Sequence, residues 1–240
     1  MPGIRFCVYT SGMRQQKRSR SRQMDDDDEP NRGPKKPQKR RSQKLRIIGG
    51  SMRGRVVVYH GAEFTRPMKD SVRESLFNII GPRIKGAYAI DLFAGTGAVS
   101  FEALSRGASR ATAIEMNRMA LRFLRSTAET LGVTEQIKFL AGDTFRLAGP
   151  LLEHSIRADV IDDTPRVIFF CPPYAMWESR AEQLAKLLKN AVENSPPNSL
   201  IVAESEKHFD PDGLPPGQWD HRMYGNTRLS FLEPPMVCGM

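Results

Sequence analysis

Two short segments about eighty residues apart hold the side chains best suited to chemistry: Asp91-Leu92-Phe93-Ala94-Gly95-Thr96-Gly97 and Phe169-Phe170-Cys171-Pro172-Pro173-Tyr174. In the first, Gly95 and Gly97 let the backbone turn tightly from strand into helix, so a ligand can lie against main-chain atoms. A bare Gly-x-Gly is a weak signal, and two details give it direction. The third position of the dinucleotide fingerprint is Ser100 rather than Gly or Ala, and an acid, Asp91, stands four residues before Gly95. A carboxylate there sits badly beside a pyrophosphate and well beside the ammonium of a methionine moiety, which disfavours a nicotinamide-dependent oxidoreductase. Glu115 suits a pair of ribose hydroxyls, because a carboxylate offers two acceptor oxygens. Asp143 is placed to accept from an adenine amine. Each acid alone reads as well as a helix cap or turn residue; three at successive strand ends point to one cofactor site.

In the second segment, two consecutive prolines hold the chain extended and leave two main-chain positions without an N–H. The Pro172 carbonyl can then face a ligand as an acceptor. Tyr174 offers an aromatic face to a flipped-out base, a stacking interaction worth about 1–3 kcal/mol. A strand-ending turn with a core tyrosine is the alternative. Cys7, Cys171 and Cys238 are scattered and odd in number, without a Cys-x-x-Cys pair, so neither a disulfide framework nor a metal is expected. The four histidines show no ligand spacing and read as surface or loop residues.

Both segments need a sheet to hold them. Strands expected at 88–91, 110–115 and 137–141 alternate with helices at 98–106 and 118–131, the rhythm of a doubly wound, mostly parallel sheet. A less regular stretch containing Asp159, Asp162 and Asp163 follows. Then come a strand at 167–170, a helix at 180–192, a strand ending at Glu204, and an antiparallel hairpin of 219–224 with 228–232. Open α/β sheets bind ligands beyond the carboxyl ends of their strands, where both segments fall. Upstream, 45–50 and 55–59 read as a small β-hairpin, and Val72, Leu76 and Ile79/Ile80 as one face of a helix ended by Gly81-Pro82. Arg53, Arg55, Arg66, Lys69 and Arg73 are either phosphate or carboxylate contacts or a solvated helix face.

The formal charge of +9 is unevenly spread: residues 1–45 hold 13 Lys and Arg against 5 Asp and Glu, or +8. With few apolar residues to bury, residues 1–44 are expected to form a disordered basic tail. It reads as an arm for RNA phosphates, as a solvated tail, or as the product of a start codon assigned upstream of Met13 or Met24. No apolar run of membrane-spanning length and no signal peptide is evident, so a cytoplasmic protein is expected.

The run of Arg46-Ile47-Ile48-Gly49-Gly50, Arg53-Gly54-Arg55, Thr65-Arg66-Pro67, Arg73-Glu74-Ser75-Leu76-Phe77-Asn78, Asp91 to Gly97, Glu102 to Arg106, Glu115 and Pro172-Pro173-Tyr174 resembles the bacterial 16S rRNA guanine-N(2) methyltransferase family. The resemblance covers about Leu45 to Leu232. It implies a seven-stranded class I, Rossmann-like methyltransferase domain over 85–235, preceded by a hairpin and helix extension over 45–84. It further implies S-adenosyl methionine as cofactor and small-subunit rRNA or an assembling 30S particle as partner; a monomer is expected. Carried over by position, Asp91, Phe93, Gly95, Gly97, Glu115 and Asp143 would bind the cofactor. Cys171, Pro172, Pro173 and Tyr174 would form the catalytic segment.

Cys171 departs from the family pattern, which has Asp or Asn before Pro-Pro. An exocyclic amine is conjugated with its ring and is a poor nucleophile. In the family, that side-chain oxygen and the proline carbonyl accept both amine hydrogens and aim the nitrogen lone pair at the methyl group. A thiol is a weak acceptor, and loss of one such bond costs about 10² to 10³ in rate. Three readings follow: a tolerated variant in which another group or a thiolate accepts, an impaired rRNA-binding assembly factor that retains the cofactor site, or a nucleophilic cysteine. The third is disfavoured because cytosine-C5 enzymes place their cysteine after the proline.

Overall fold

The computed structural model describes residues 43–61, 67–157 and 163–235, all within the compact unit that begins at Lys39. The basic segment, up to Ser42, lies outside the described residues, as do Arg66, Asp159 and Asp162. The chain opens with the antiparallel pair β1 (Gln43–Arg46) and β2 (Val56–Tyr59), then α1 (Asp70–Ile80). Next come β3 (Tyr88–Asp91), α2 (Ala98–Ser105), β4 (Arg110–Glu115), α3 (Arg118–Leu131), β5 (Ile137–Ala141) and α4 (Thr144–Arg157). They are followed by β6 (Arg166–Phe170), α5 (Met176–Ser179), α6 (Ala181–Glu193), β7 (Leu200–Glu206), β8 (Asp220–Tyr224) and β9 (Thr227–Leu232).

Strands β3 to β9 form one seven-stranded sheet in the order β5-β4-β3-β6-β7-β9-β8. The first five run parallel, β9 runs antiparallel to β7, and β8, antiparallel to β9, returns to the direction of the first five, as expected of a doubly wound, mostly parallel sheet. Its centre is apolar on both faces, as parallel strands covered by helices on each side require. Side chains alternate along each strand. Ala89, Val167, Phe169 and Val202 pack with Leu76, Phe77, Phe101, Leu121 and Leu124 on one side. Ile90, Ile168, Phe170 and Ile201 pack with Ala148, Leu152, Leu184 and Leu188 on the other. Helix α3 shows how this is encoded. Leu121, Leu124, Ala128 and Leu131 form one buried stripe, Asn117 caps the first turn through Met119 N and Ala120 N, and left-handed Gly132 ends the helix.

The N-terminal hairpin is clasped to α2 by buried polar groups. Glu102, fully buried, accepts from Ile48 N and Gly49 N at 2.8 Å each and from Arg106 Nε at 2.8 Å, with Arg73 Nε 3.7 Å away. Ser105 Oγ donates to Gly49 O and accepts from Met52 N. Gly50 sits at φ +76, and a Cβ there would lie 1.8 Å from Ser105 O. Arg73 is therefore not on a solvated face. It is completely buried, donating to Met68 O, Arg46 O and Asp70. Arg55 likewise donates to Leu131 O and Thr130 O at the carbonyl end of α3. His60, expected as a surface or loop residue, follows β2 outside regular structure and is buried against the rings of Tyr59 and Phe123. Among the described residues no helix is long and apolar enough to cross a membrane.

Candidate functional site

The order of strands reverses at β3, which has β4 on one side and β6 on the other. That is the switch point at which a doubly wound sheet opens a crevice. A cavity of about 800 Å³ occupies it, within the range of small-molecule sites. One flank is formed by Phe93, Gly95, Glu115, Met116, Asn117, Asp143 and Phe145, the other by Cys171 to Met176 with Glu204 and Thr227. Pro67, Met68 and Lys69, just before α1, border it as well. A smaller void of about 70 Å³ adjoins it, sharing Phe93, Gly95, Cys171 and Glu204 and adding Asp91 and Thr96.

The glycine loop owes its shape to the acids around it. Glu115, at the end of β4, accepts from Gly95 N at 2.8 Å through Oε2 and from Asn117 N at 2.6 Å through Oε1. It thereby fixes both the loop and the start of α3 while bordering the cavity; a carboxylate has lone pairs enough to accept further donors. Asp91 is 3% exposed and accepts from Ser100 Oγ at 2.7 Å and Phe93 N at 3.3 Å. Burial pushes its carboxyl up to about 6, and the nearby charge of Glu115 adds to that, while the two hydrogen bonds pull the other way. Asp143 Oδ1 accepts from Phe145 N at 3.0 Å at the head of α4, and Thr144 Oγ1 donates to Leu92 O at 2.5 Å. Phe93 packs edge-on against Phe145 and Phe170.

Of the ten residues expected at the site, nine border one or both cavities, and Gly97 does not. Gly97 serves packing: at φ +74 a Cβ would come within 2.3 Å of Leu124 Cδ2 and 2.9 Å of Phe101 Cε2. In the second segment Pro172 is buried, Pro173 exposed, and Cys171 and Tyr174 half-buried. Tyr174 is held by its hydroxyl, which donates to Glu204 Oε1 at 3.0 Å and lies 3.0 Å from Thr227 Oγ1. Burial, followed by the charges of Glu204 and Asp91, pushes the Cys171 thiol well above its ordinary value. Such a shift favours the thiol over the thiolate.

Glu204 and Thr227 join the site without announcing themselves in the sequence. Glu204 reads there as a strand end, and Thr227 as part of a turn. The signal for Glu204 lies in the strand order. β7 runs parallel beside β6 with Phe170 opposite Ala203, so the residue after each, Cys171 and Glu204, emerges at the same edge.

A protein-family model described as Conserved hypothetical protein 95 matches residues 45–233. YlbH of Bacillus subtilis (strain 168) is 32% identical over 167 residues, covering 69% of this chain and 85% of its own. Ribosomal RNA small subunit methyltransferase D of Haemophilus influenzae is 34% identical over 178 residues, covering 73% and 84%. Among solved structures, the protein yhhF of Escherichia coli superposes with a TM-score of 0.61 at 30% identity, covering 80% of this chain and 98% of its own. With the family match covering most of the hairpin, the clasp and the whole seven-stranded sheet, the chain belongs to the Conserved hypothetical protein 95 family, a family of S-adenosyl methionine-dependent rRNA methyltransferases.

Proposed function

We propose that this protein methylates the exocyclic amine, N2, of a guanine in small-subunit rRNA, free or within an assembling 30S particle, and acts as a monomer. The observation that carries the reading is a cavity bordered on one flank by the glycine loop and its acids and on the other by Cys171 to Tyr174. The residues fit the cofactor. Asp91 is a buried acid for the methionine ammonium, Glu115 and Asp143 are acceptors for ribose hydroxyls and an adenine amine, and Phe93 with Phe145 gives apolar walls. When bound, S-adenosyl methionine supplies an electrophilic methyl group on a positively charged sulfur.

The remaining work falls to the protein. Pro172 offers a carbonyl to one amine hydrogen, and Tyr174, anchored by Glu204 and Thr227, presents its ring to the base. Exclusion of water from such a site strengthens each of these interactions. The test is transfer of labelled methyl to hypomethylated small subunits, with the modified nucleoside identified after digestion. Label on N2-methylguanosine is the expected result; label on another nucleoside sinks the guanine assignment. A second reading, an assembly factor without transferase activity, draws on the protonated thiol of Cys171. It is established if the wild type transfers nothing while Cys171→Asp does.

A further inference from the structure

The catalytic segment has a thiol where an acceptor oxygen is needed, yet a carboxylate stands beside it on the next strand. The parallel register of β6 and β7 sets Cys171 and Glu204 side by side at the carboxyl edge. Glu204 borders the large cavity together with Cys171, Pro172 and Tyr174, and the small one together with Cys171 and Asp91. Its position is fixed at both ends. Trp177 Nε1 donates to its carbonyl at 3.0 Å, and the Tyr174 hydroxyl donates to its Oε1 at 3.0 Å. An ionised carboxylate accepts several hydrogen bonds at once, so the bond to Tyr174 is compatible with another donor. The charge of Glu204 also helps keep the neighbouring thiol protonated, which leaves Cys171 as a donor toward that carboxylate rather than a competitor for the amine.

We propose that Glu204 is a catalytic residue, whose carboxylate accepts a hydrogen of the target amine opposite the Pro172 carbonyl and then takes its proton. The proposal rests on the reading of the site as an amine methyltransferase. The balance of the step is simple. The nitrogen lone pair forms the bond to the methyl carbon, the carbon–sulfur pair returns to sulfur to give a neutral thioether, and the proton shed by nitrogen goes to Glu204 and on to solvent. The acceptor has thus moved from the residue after one strand to a residue of its neighbour, at the same depth in the sheet.

Glu204→Gln, Glu204→Asp and the double variant Cys171→Asp/Glu204→Gln provide the test, in single-turnover methyl transfer to hypomethylated small subunits across a range of pH. Glu204→Gln should lower the rate by about 10² to 10³ and abolish the acid limb of the pH profile. Affinity for S-adenosyl homocysteine, measured by calorimetry, should stay within a few-fold of wild type. Glu204→Asp should retain the acid limb, and the double variant should regain at least tenfold over Glu204→Gln. A readout free of cofactor is alkylation of Cys171 by iodoacetamide, followed by peptide mass spectrometry: in Glu204→Gln the thiol should react at lower pH than in wild type. The proposal falls if Glu204→Gln transfers at the wild-type rate, if it loses homocysteine-cofactor binding in step with rate, or if thiol reactivity is unmoved. Transfer to a nucleoside other than guanine removes the guanine assignment while the same rate ratios still decide the role of Glu204. Transfer to guanine only after Cys171→Asp removes the Glu204 proposal and leaves the guanine assignment standing.

Discussion

Asp91 is where burial and charge are most directly opposed. A carboxyl raised to about 6 in the folded chain, against about 3.9 when unfolded, means that keeping it ionised above pH 6 costs about 3 kcal/mol of stability. The sign follows from the raised value: the cost is full above pH 6 and is relieved progressively as pH falls toward 4. Asp91→Asn should therefore melt at a higher temperature than wild type at pH 7.5, with the gap closing as pH is lowered through 6. It should also bind S-adenosyl homocysteine at least tenfold more weakly at pH 7.5. Wild-type affinity should itself decline below pH 6 if the ionised acid meets the methionine ammonium; calorimetry over pH 5 to 8 checks both. The acids at the strand ends are legible in the sequence, because their position after apolar runs is a one-dimensional fact. Glu204 is not, since its meaning depends on which strand lies beside it.

At the scale of elements, the clasp between the hairpin and α2 explains why the Arg46 to Gly50 and Glu102 to Arg106 motifs occur in one chain. They are two halves of one buried hydrogen-bond network. Ser105→Ala leaves Met52 N and Gly49 O without their partner and should destabilise by about 1–3 kcal/mol. Gly50→Ala forces both a left-handed conformation and a backbone collision, so it should cost more than Ser105→Ala. Urea denaturation of the two variants checks the order, and equal midpoints for both and wild type would remove the clasp as a source of stability. Periodicity locates β3, β4, β5 and α3 to the residue, because their apolar positions repeat without interruption. It does not reveal α4, whose interior contains Gly149 and Pro150, residues that read as breakers. The packing of Ala148 and Leu152 against the sheet overrides that local preference. Arg73 is hidden for a related reason: a charged residue on an amphipathic helix looks solvated until the carbonyls and acids that surround it are known.

Across the whole molecule, charge and catalysis occupy different stretches of chain. Residues 1–45 carry +8 and the remaining 195 residues +1, so removal of residues 1–40 should weaken RNA binding mainly at low salt. The slope of log affinity against log salt should become shallower by about 0.7–0.9 for each phosphate that the arm neutralises. Filter binding over a salt series measures it, and an unchanged slope counts against the arm. The order in which the sheet is assembled has its own consequence. β9 is the last strand in sequence among the described residues but lies inside the sheet, between β7 and β8, and its first residue, Thr227, reaches the Tyr174 hydroxyl. During synthesis the cofactor loop and the proline turn are both complete long before that partner emerges. The tyrosine that is to receive the base therefore acquires its full support only once Thr227 has been made, so a growing chain can shape a cofactor cleft well before it has a finished site for its substrate.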